Sequence, residues 1–180
     1  MNLANKISIG RILLVPAIVA SLIYYHPERD GLRFVTLGLF LVGVLSDALD
    51  GFIARLQRQQ TQLGTILDPL ADKLLLLSAF ISCSTIRGLP AWMRIPAWFN
   101  ILVISRDALL VAGAWLLFAI QGRWSIQPSR LGKWTTFAQM LVIPSILLTL
   151  PVKDAVIMIA AILTMLSAIG YIRRGIRLLG

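Results

Sequence analysis

Six long apolar stretches, at roughly residues 7–25, 32–57, 66–86, 95–120, 134–150 and 153–172, take up most of this 180-residue chain. A helix needs about 20 mostly apolar residues to cross a hydrocarbon core of about 30 Å, and each stretch comes close to that length. Four of the connections are short and rich in turn formers: His26-Pro27-Glu28-Arg29-Asp30-Gly31, Arg87-Gly88-Leu89-Pro90, Gln121-Gly122-Arg123 and Leu150-Pro151. No linker, repeat or low-complexity tract divides the chain. The expectation is an all-α integral membrane protein with six transmembrane helices, built as a single domain over 1–180. Composition agrees, because 58% of residues are hydrophobic and only 14% charged. A soluble domain has about 25% charged residues, and too few polar side chains remain here to cover a water-facing surface.

Charge orients the helices. There are 17 Lys and Arg against 8 Asp and Glu, a net charge of +9. The bases stand singly between apolar runs, which suits loops facing an anionic bilayer and argues against nucleic acid as a partner. Ten basic residues fall on the side of the termini and the second and fourth loops, and five on the other side, with Lys73 and Arg106 inside spans. The excess places the termini in the cytosol. Lys6 and Arg11 interrupt the first apolar run and no small-residue cleavage site follows it, so the run reads as a retained helix. Cys83 is the only cysteine and His26, in a polar turn, the only histidine. Neither a disulfide nor a cysteine- or histidine-based zinc site is available.

Four of the acidic residues, Asp47, Asp50, Asp68 and Asp72, fall within or beside the second and third spans. An aspartate at a helix centre costs about 2.5–3.5 kcal/mol on insertion scales, so such residues face a cavity or partner and mark function. Asp47 and Asp50 are three apart and Asp68 and Asp72 four apart, so each pair shares a helix face. Two antiparallel helices joined by a cytosolic turn bring both pairs to one membrane depth. Four carboxylates in one polar, cytosol-facing cavity repel one another unless cations intervene. Oxygen ligands without a nearby histidine or thiol favour Mg²⁺ or Mn²⁺ over zinc or copper. Asp68 ahead of Pro69 also reads as a helix N-cap. Gly51, Ala54 and Gly64 let a ligand or helix approach closely, and Arg55 sets a cation at the cytosolic edge, suited to a phosphate.

The run Asp47-Ala-Leu-Asp50-Gly51-Phe-Ile-Ala54-Arg55, then eight residues, Gly64, three residues, Asp68, three residues and Asp72, resembles the signature of the CDP-alcohol phosphatidyltransferase family. Every fixed position is filled at the family's spacing. The resemblance extends over the whole chain and implies six transmembrane helices and a homodimer. It implies a CDP-linked lipid, commonly CDP-diacylglycerol, whose phosphatidyl group passes to an alcohol with release of CMP. By that resemblance Asp47, Asp50, Asp68 and Asp72 hold two divalent metals, and Asp72 is the base that takes the acceptor's proton. Gly51, Ala54, Arg55 and Gly64 line the cytidine-diphosphate site. The bacterial inner membrane is the expected location, with the active site cytosolic.

Acceptor choice must lie outside the shared signature. Arg106 sits mid-way along the fourth span beside Asp107, and Lys133 opens the fifth within Ser129-Arg130-Leu131-Gly132-Lys133. Together they suit a phosphate on the acceptor, arginine by bidentate hydrogen bonds and lysine as a point charge. The opening Asn2-Leu3-Ala4-Asn5, with Ser8 and Arg11, is similar to the start of members that make phosphatidylglycerophosphate or cardiolipin, although Ala4 replaces their usual proline. Asn5 and Arg11 thereby join the candidate acceptor-binding residues. Ser105-Arg106-Asp107 departs from the Arg-Glu usual in the phosphatidylglycerophosphate branch and looks more like the cardiolipin branch. The arginine is retained in either branch and suits a phosphate-bearing acceptor; glycerol 3-phosphate is the expected acceptor, with phosphatidylglycerol as the alternative.

An ion or proton transporter accounts for Asp47 and Asp50 but not for the Asp/Gly/Ala/Arg spacing, and no inverted repeat is evident. Polar residues acting purely as interhelical glue are more often Ser, Thr or Asn. Trp98, Phe99, Trp115 and Phe118 read as lipid-facing or packing residues, and Met1–Lys6 as a short interfacial helix.

Overall fold

The computed structural model describes the backbone of residues 3–57, 62–121 and 129–179, and the side chains of 8–46, 70–116, 119 and 129–177. Among these residues there are six α-helices and no strand: α1 (Leu3–Ile23), α2 (Gly31–Gln57), α3 (Gln62–Thr85), α4 (Ala97–Gln121), α5 (Arg130–Leu147) and α6 (Lys153–Leu179). Single 3₁₀ turns at Pro27–Arg29 and Ala91–Met93 complete the connections. Each helix overlaps one of the predicted apolar runs, although α1, α3, α4 and α5 each leave one to three residues of their run uncovered at one end. At 1.5 Å per residue the 18 residues of α5 span about 27 Å and the 27 of α6 about 40 Å.

Among the described residues two stretches, Ala91–Leu116 and Lys153–Arg177, are long and apolar enough to cross a membrane, while Ser8–Ile23 and Gly31–Ser46 are shorter apolar helices. Only 22% of an 18-residue segment of the first and 28% of such a segment of the second is buried within the molecule. Val111, Trp115, Ile159 and Ile162 are among the large apolar side chains left exposed along them, a pattern expected where lipid is the solvent.

Two sequence readings are corrected. Asp68 is not an N-cap, because α3 starts at Gln62 and carries Asp68 and Pro69 inside its second turn. A proline there removes one intrahelical bond, which the surrounding helix tolerates. Nor is Met1–Lys6 a separate interfacial helix, since Leu3–Lys6 form the first turn of α1; Met1 and Asn2 lie outside the described residues.

The chain divides into two compact units, residues 1–95 and 96–180. In the first, α1 packs on both α2 and α3, which touch each other far less. Ile18, Leu22, Phe40, Leu76, Ala79 and Phe80 form its core. Small hydroxyls tie the helices together: Ser21 Oγ and Thr36 Oγ1 are 2.8 Å apart, linking α1 to α2. Beyond α3, the Arg94 guanidinium donates to the carbonyls of Leu89 and Arg87 (3.0 and 2.8 Å), closing the loop after Thr85.

In the second unit α6 is the shared partner, packing on both α4 and α5. Phe99, Val103, Val142, Ile143, Ile146 and Ala160 are buried. Thr135 Oγ1 donates to the Leu163 carbonyl (3.0 Å) and Gln139 Nε2 to Thr164 Oγ1 (3.0 Å), fixing α5 against α6. Of the four aromatics taken as lipid-facing or packing, Phe99 is buried, Trp98 and Trp115 are exposed, and the Phe118 side chain lies outside the described residues. The α5–α6 turn closes with Thr149 N–H on the Ile146 carbonyl and Leu150 N–H on that of Ser145, both 2.9 Å. Thr149 takes the left-handed position of this cap, φ 51°, where glycine is usual, and Pro151 follows.

Candidate active site

The aspartate signature occupies the end of α2 and the beginning of α3. Asp47, Asp50, Gly51, Ala54 and Arg55 lie on the last turns of α2, and Gly64, Asp68 and Asp72 on the first turns of α3. The backbone is helical at all of them, so Asp47 with Asp50, and Asp68 with Asp72, each share one helix face. Five peptide steps separate Gln57 from Gln62, so the two ends lie within about 18 Å. The side chains of Asp47, Asp50, Gly51, Ala54, Arg55, Gly64 and Asp68, and that of Asn5 on α1, lie outside the described residues.

The side chain of Asp72 is described. It is 23% exposed and accepts a hydrogen bond at Oδ1 from Nη1 of Arg11, whose side chain is 1% exposed. Arg11 is reached from α1, one helix away, because α1 packs along α3. The structure thus sets a residue singled out for acceptor binding directly on the carboxylate singled out as the base. A charge-assisted pair of this kind orients both groups.

A second set of residues lines a cavity of about 390 Å³ within the second unit. Arg106 comes from α4, Ser129 and Lys133 from the start of α5, and Ser167, Tyr171 and Arg174 from α6. The structure therefore brings Arg106 and Lys133 to one cavity. Arg106 is 6% exposed. Its Nη1 donates to Asp107 Oδ1 and its Nη2 to Ser167 Oγ, both at 2.8 Å, which holds the guanidinium plane in place. Its Nε has no hydrogen-bond partner among the described residues. Ser129 caps α5 by accepting from Gly132 N–H at 2.9 Å. A Cβ at Gly132 would lie 3.1 Å from Ser129 Oγ and 3.3 Å from Arg106 Nη2, so glycine lets the helix start close against the arginine. Three cations and a capped helix N-terminus make this cavity attractive to an anion.

Ser167, Tyr171 and Arg174 were not among the sequence candidates. Their spacing, i, i+4 and i+7, puts them on one face of α6 and was the available signal.

The comparisons with known proteins agree with the aspartate signature. A probable phosphatidylglycerophosphate synthase of Mycobacterium tuberculosis is 33% identical over 99% of this chain and 84% of its own length. A CDP-diacylglycerol–glycerol-3-phosphate 3-phosphatidyltransferase of Haemophilus influenzae is 33% identical over 96% of the chain and 92% of its own. A putative cardiolipin synthase of Mycobacterium bovis is 34% identical over 82% of the chain and 65% of its own. Residues 1–166, signature included, match the description "CDP-alcohol phosphatidyltransferase", and with that match over most of its length the chain belongs to the CDP-alcohol phosphatidyltransferase family.

Proposed function

We propose that this membrane-bound enzyme transfers the phosphatidyl group of CDP-diacylglycerol to glycerol 3-phosphate, giving phosphatidylglycerophosphate and CMP. The observation that carries the acceptor is the cavity in which Arg106, Lys133 and Arg174 converge. A phosphate monoester is close to dianionic at pH 7, its second pKa being about 6, and three cations match it. The names of the Mycobacterium tuberculosis and Haemophilus influenzae relatives support the same reading.

In this reaction the acceptor hydroxyl oxygen attacks the phosphorus that bears diacylglycerol. The bond from that phosphorus to the bridging oxygen breaks, and CMP leaves with the electron pair. Asp72 takes the hydroxyl proton, and Arg11 holds its carboxylate in one orientation. Arg106 and Lys133 grip the acceptor's phosphate, and Asn5 is a further acceptor-binding residue. Gly51, Ala54, Arg55 and Gly64 line the cytidine-diphosphate site, the arginine opposite its phosphates.

The donor set fits hard divalent cations. The helical backbone groups four carboxylates in two face-sharing pairs, while Cys83 is buried and His26 caps an exposed 3₁₀ turn. Asp47, Asp50, Asp68 and Asp72 would hold two Mg²⁺ or Mn²⁺ ions, which supply charge neutralisation along the diphosphate and the leaving CMP. In the same reading all six helices cross the bacterial inner membrane as one domain. The termini and a polar active-site cavity face the cytosol, and the protein works as a homodimer.

A second reading, cardiolipin synthesis with phosphatidylglycerol as acceptor, draws on Asp107 after Arg106. The deciding experiment gives purified protein CDP-diacylglycerol and Mg²⁺ with either acceptor, following CMP and lipid product together. Phosphatidylglycerophosphate is expected. Cardiolipin alone would transfer the assignment to the second reading, and CMP with neither product would remove both acceptors.

A further inference from the structure

The Arg106 cavity has a neighbour across the seam between α4 and α6. This second hollow, about 320 Å³, is lined by Leu109, Ala112, Gly113, Leu116, Ile172 and Gly175, with Tyr171 and Ile176. Among the described residues its lining carries no polar side chain apart from the tyrosine. Among the described residues Tyr171 alone borders both spaces. Its hydroxyl donates to the Leu110 carbonyl at 3.1 Å. Its ring lies so close to Gly113 that a Cβ there would come within 2.7 Å of Cε1 and 2.9 Å of the hydroxyl oxygen. The phenol end of the ring, carried on α6, is thus held across the seam against the α4 backbone.

We infer that Tyr171 is a specificity-determining residue, a partition that keeps the cavity to phosphate monoesters and bars lipid phosphodiesters. The inference rests on the reading of this cavity as the acceptor's phosphate site. A monoester acceptor ends at its phosphate and needs no room beyond it. A lipid phosphodiester continues past the phosphate into a glycerol carrying two acyl chains, which must reach an apolar phase. The apolar hollow across the seam offers that route, and Tyr171 stands in it. Charge acts in the same direction, since Arg106, Lys133 and Arg174 suit a dianion better than the single charge of a diester. Excluding a competitor by a steric wall is a common source of selectivity.

The test measures kcat/KM for glycerol 3-phosphate and for phosphatidylglycerol, with CDP-diacylglycerol and Mg²⁺ in mixed micelles. Wild type, Tyr171→Ala and Tyr171→Phe are compared, with thermal unfolding in detergent as the fold control. Tyr171→Ala is expected to raise the phosphatidylglycerol-to-glycerol-3-phosphate ratio by about tenfold or more, and Tyr171→Phe, which keeps the ring, by less than about threefold. An unchanged ratio in a folded Tyr171→Ala protein that still makes phosphatidylglycerophosphate overturns the partition and leaves the proposed function standing. A wild type that makes cardiolipin as readily as phosphatidylglycerophosphate overturns both. Should Tyr171→Ala fail to fold, Tyr171→Leu, which keeps an apolar side chain on α6 without the ring, decides by the same ratio.

Discussion

Arg11 on α1 and Asp72 on α3 form an ion pair in which the arginine side chain is 1% exposed and the carboxylate 23%. One partner is a buried guanidinium from the first helix, and the other is the last aspartate of the family signature. The link explains how a residue far from the signature in sequence bears on its chemistry: Arg11 acts through the carboxylate that we propose as the base.

Asp72→Asn and Asp72→Ala separate the two roles of this carboxylate. Asparagine keeps an oxygen that accepts from Arg11, so the fold should survive while proton transfer is lost, lowering kcat by about 10²–10⁴-fold. Alanine removes a partner from a buried charge, which costs about 3–5 kcal/mol in fully buried pairs and less here because Asp72 is part exposed. Turnover and thermal unfolding of both variants check this. An asparagine variant that turns over at the wild-type rate would dismiss Asp72 as the base.

Arg106→Lys should act on one substrate only. Lysine keeps the charge, but a single ammonium cannot hold Asp107 and Ser167 and still present a planar fork to phosphate. We expect KM for glycerol 3-phosphate to rise about 10–100-fold, the loss of one or two charge-assisted hydrogen bonds, with KM for CDP-diacylglycerol within about twofold. Steady-state kinetics with each substrate varied in turn will tell. An equal rise in both constants would mean that Arg106 is structural.

The helices were legible because each apolar run is long and bounded by turn residues. Their ends were less so. Pro69 suggested a helix start at Asp68, yet α3 begins at Gln62 and runs through it, because packing along α1 outweighs one missing backbone bond. The aspartate pairs and the Arg106–Lys133 couple could be read from spacing and from the cost of placing charge among apolar residues. Ser167 and Tyr171 could not. Their spacing with Arg174 marks one face of α6 but not what that face meets, since Arg106 and Gly113 lie across a helix–helix seam, 61 and 58 positions away in the chain.

Chelation should silence the enzyme, and added Mg²⁺ should restore it. Asp47→Asn or Asp50→Asn removes one full charge from a hard-cation site, so the Mg²⁺ concentration for half-maximal rate should rise by about tenfold or more. Titrating Mg²⁺ into metal-stripped wild type and variants gives that number directly. Full activity in the presence of excess chelator would refute a divalent-cation site.

The packing of α2 supplies a matched pair of glycines. A Cβ on Gly43 would collide with Cδ1 of Leu75 on α3 and lie 3.6 Å from Cδ1 of Leu14 on α1, whereas Gly38 faces open space. Gly38→Ala should be neutral or stabilise by up to about 1 kcal/mol through helix propensity. Gly43→Ala gains the same propensity but must displace the end of Leu75, a side chain only 3% exposed, and such overpacking costs about 1–3 kcal/mol. The expected net result is a lower unfolding midpoint for Gly43→Ala and an unchanged or higher one for Gly38→Ala, with Leu75→Val recovering part of the loss in the Gly43→Ala background. Gly43 lies one helical turn before Asp47, and Leu75 one turn after Asp72. A shift at this contact should therefore also raise the Mg²⁺ requirement, an effect with no counterpart in Gly38→Ala. Equal stability and equal Mg²⁺ dependence in the two alanine variants would show that close approach at Gly43 sets neither the packing nor the spacing of the aspartate-bearing helices.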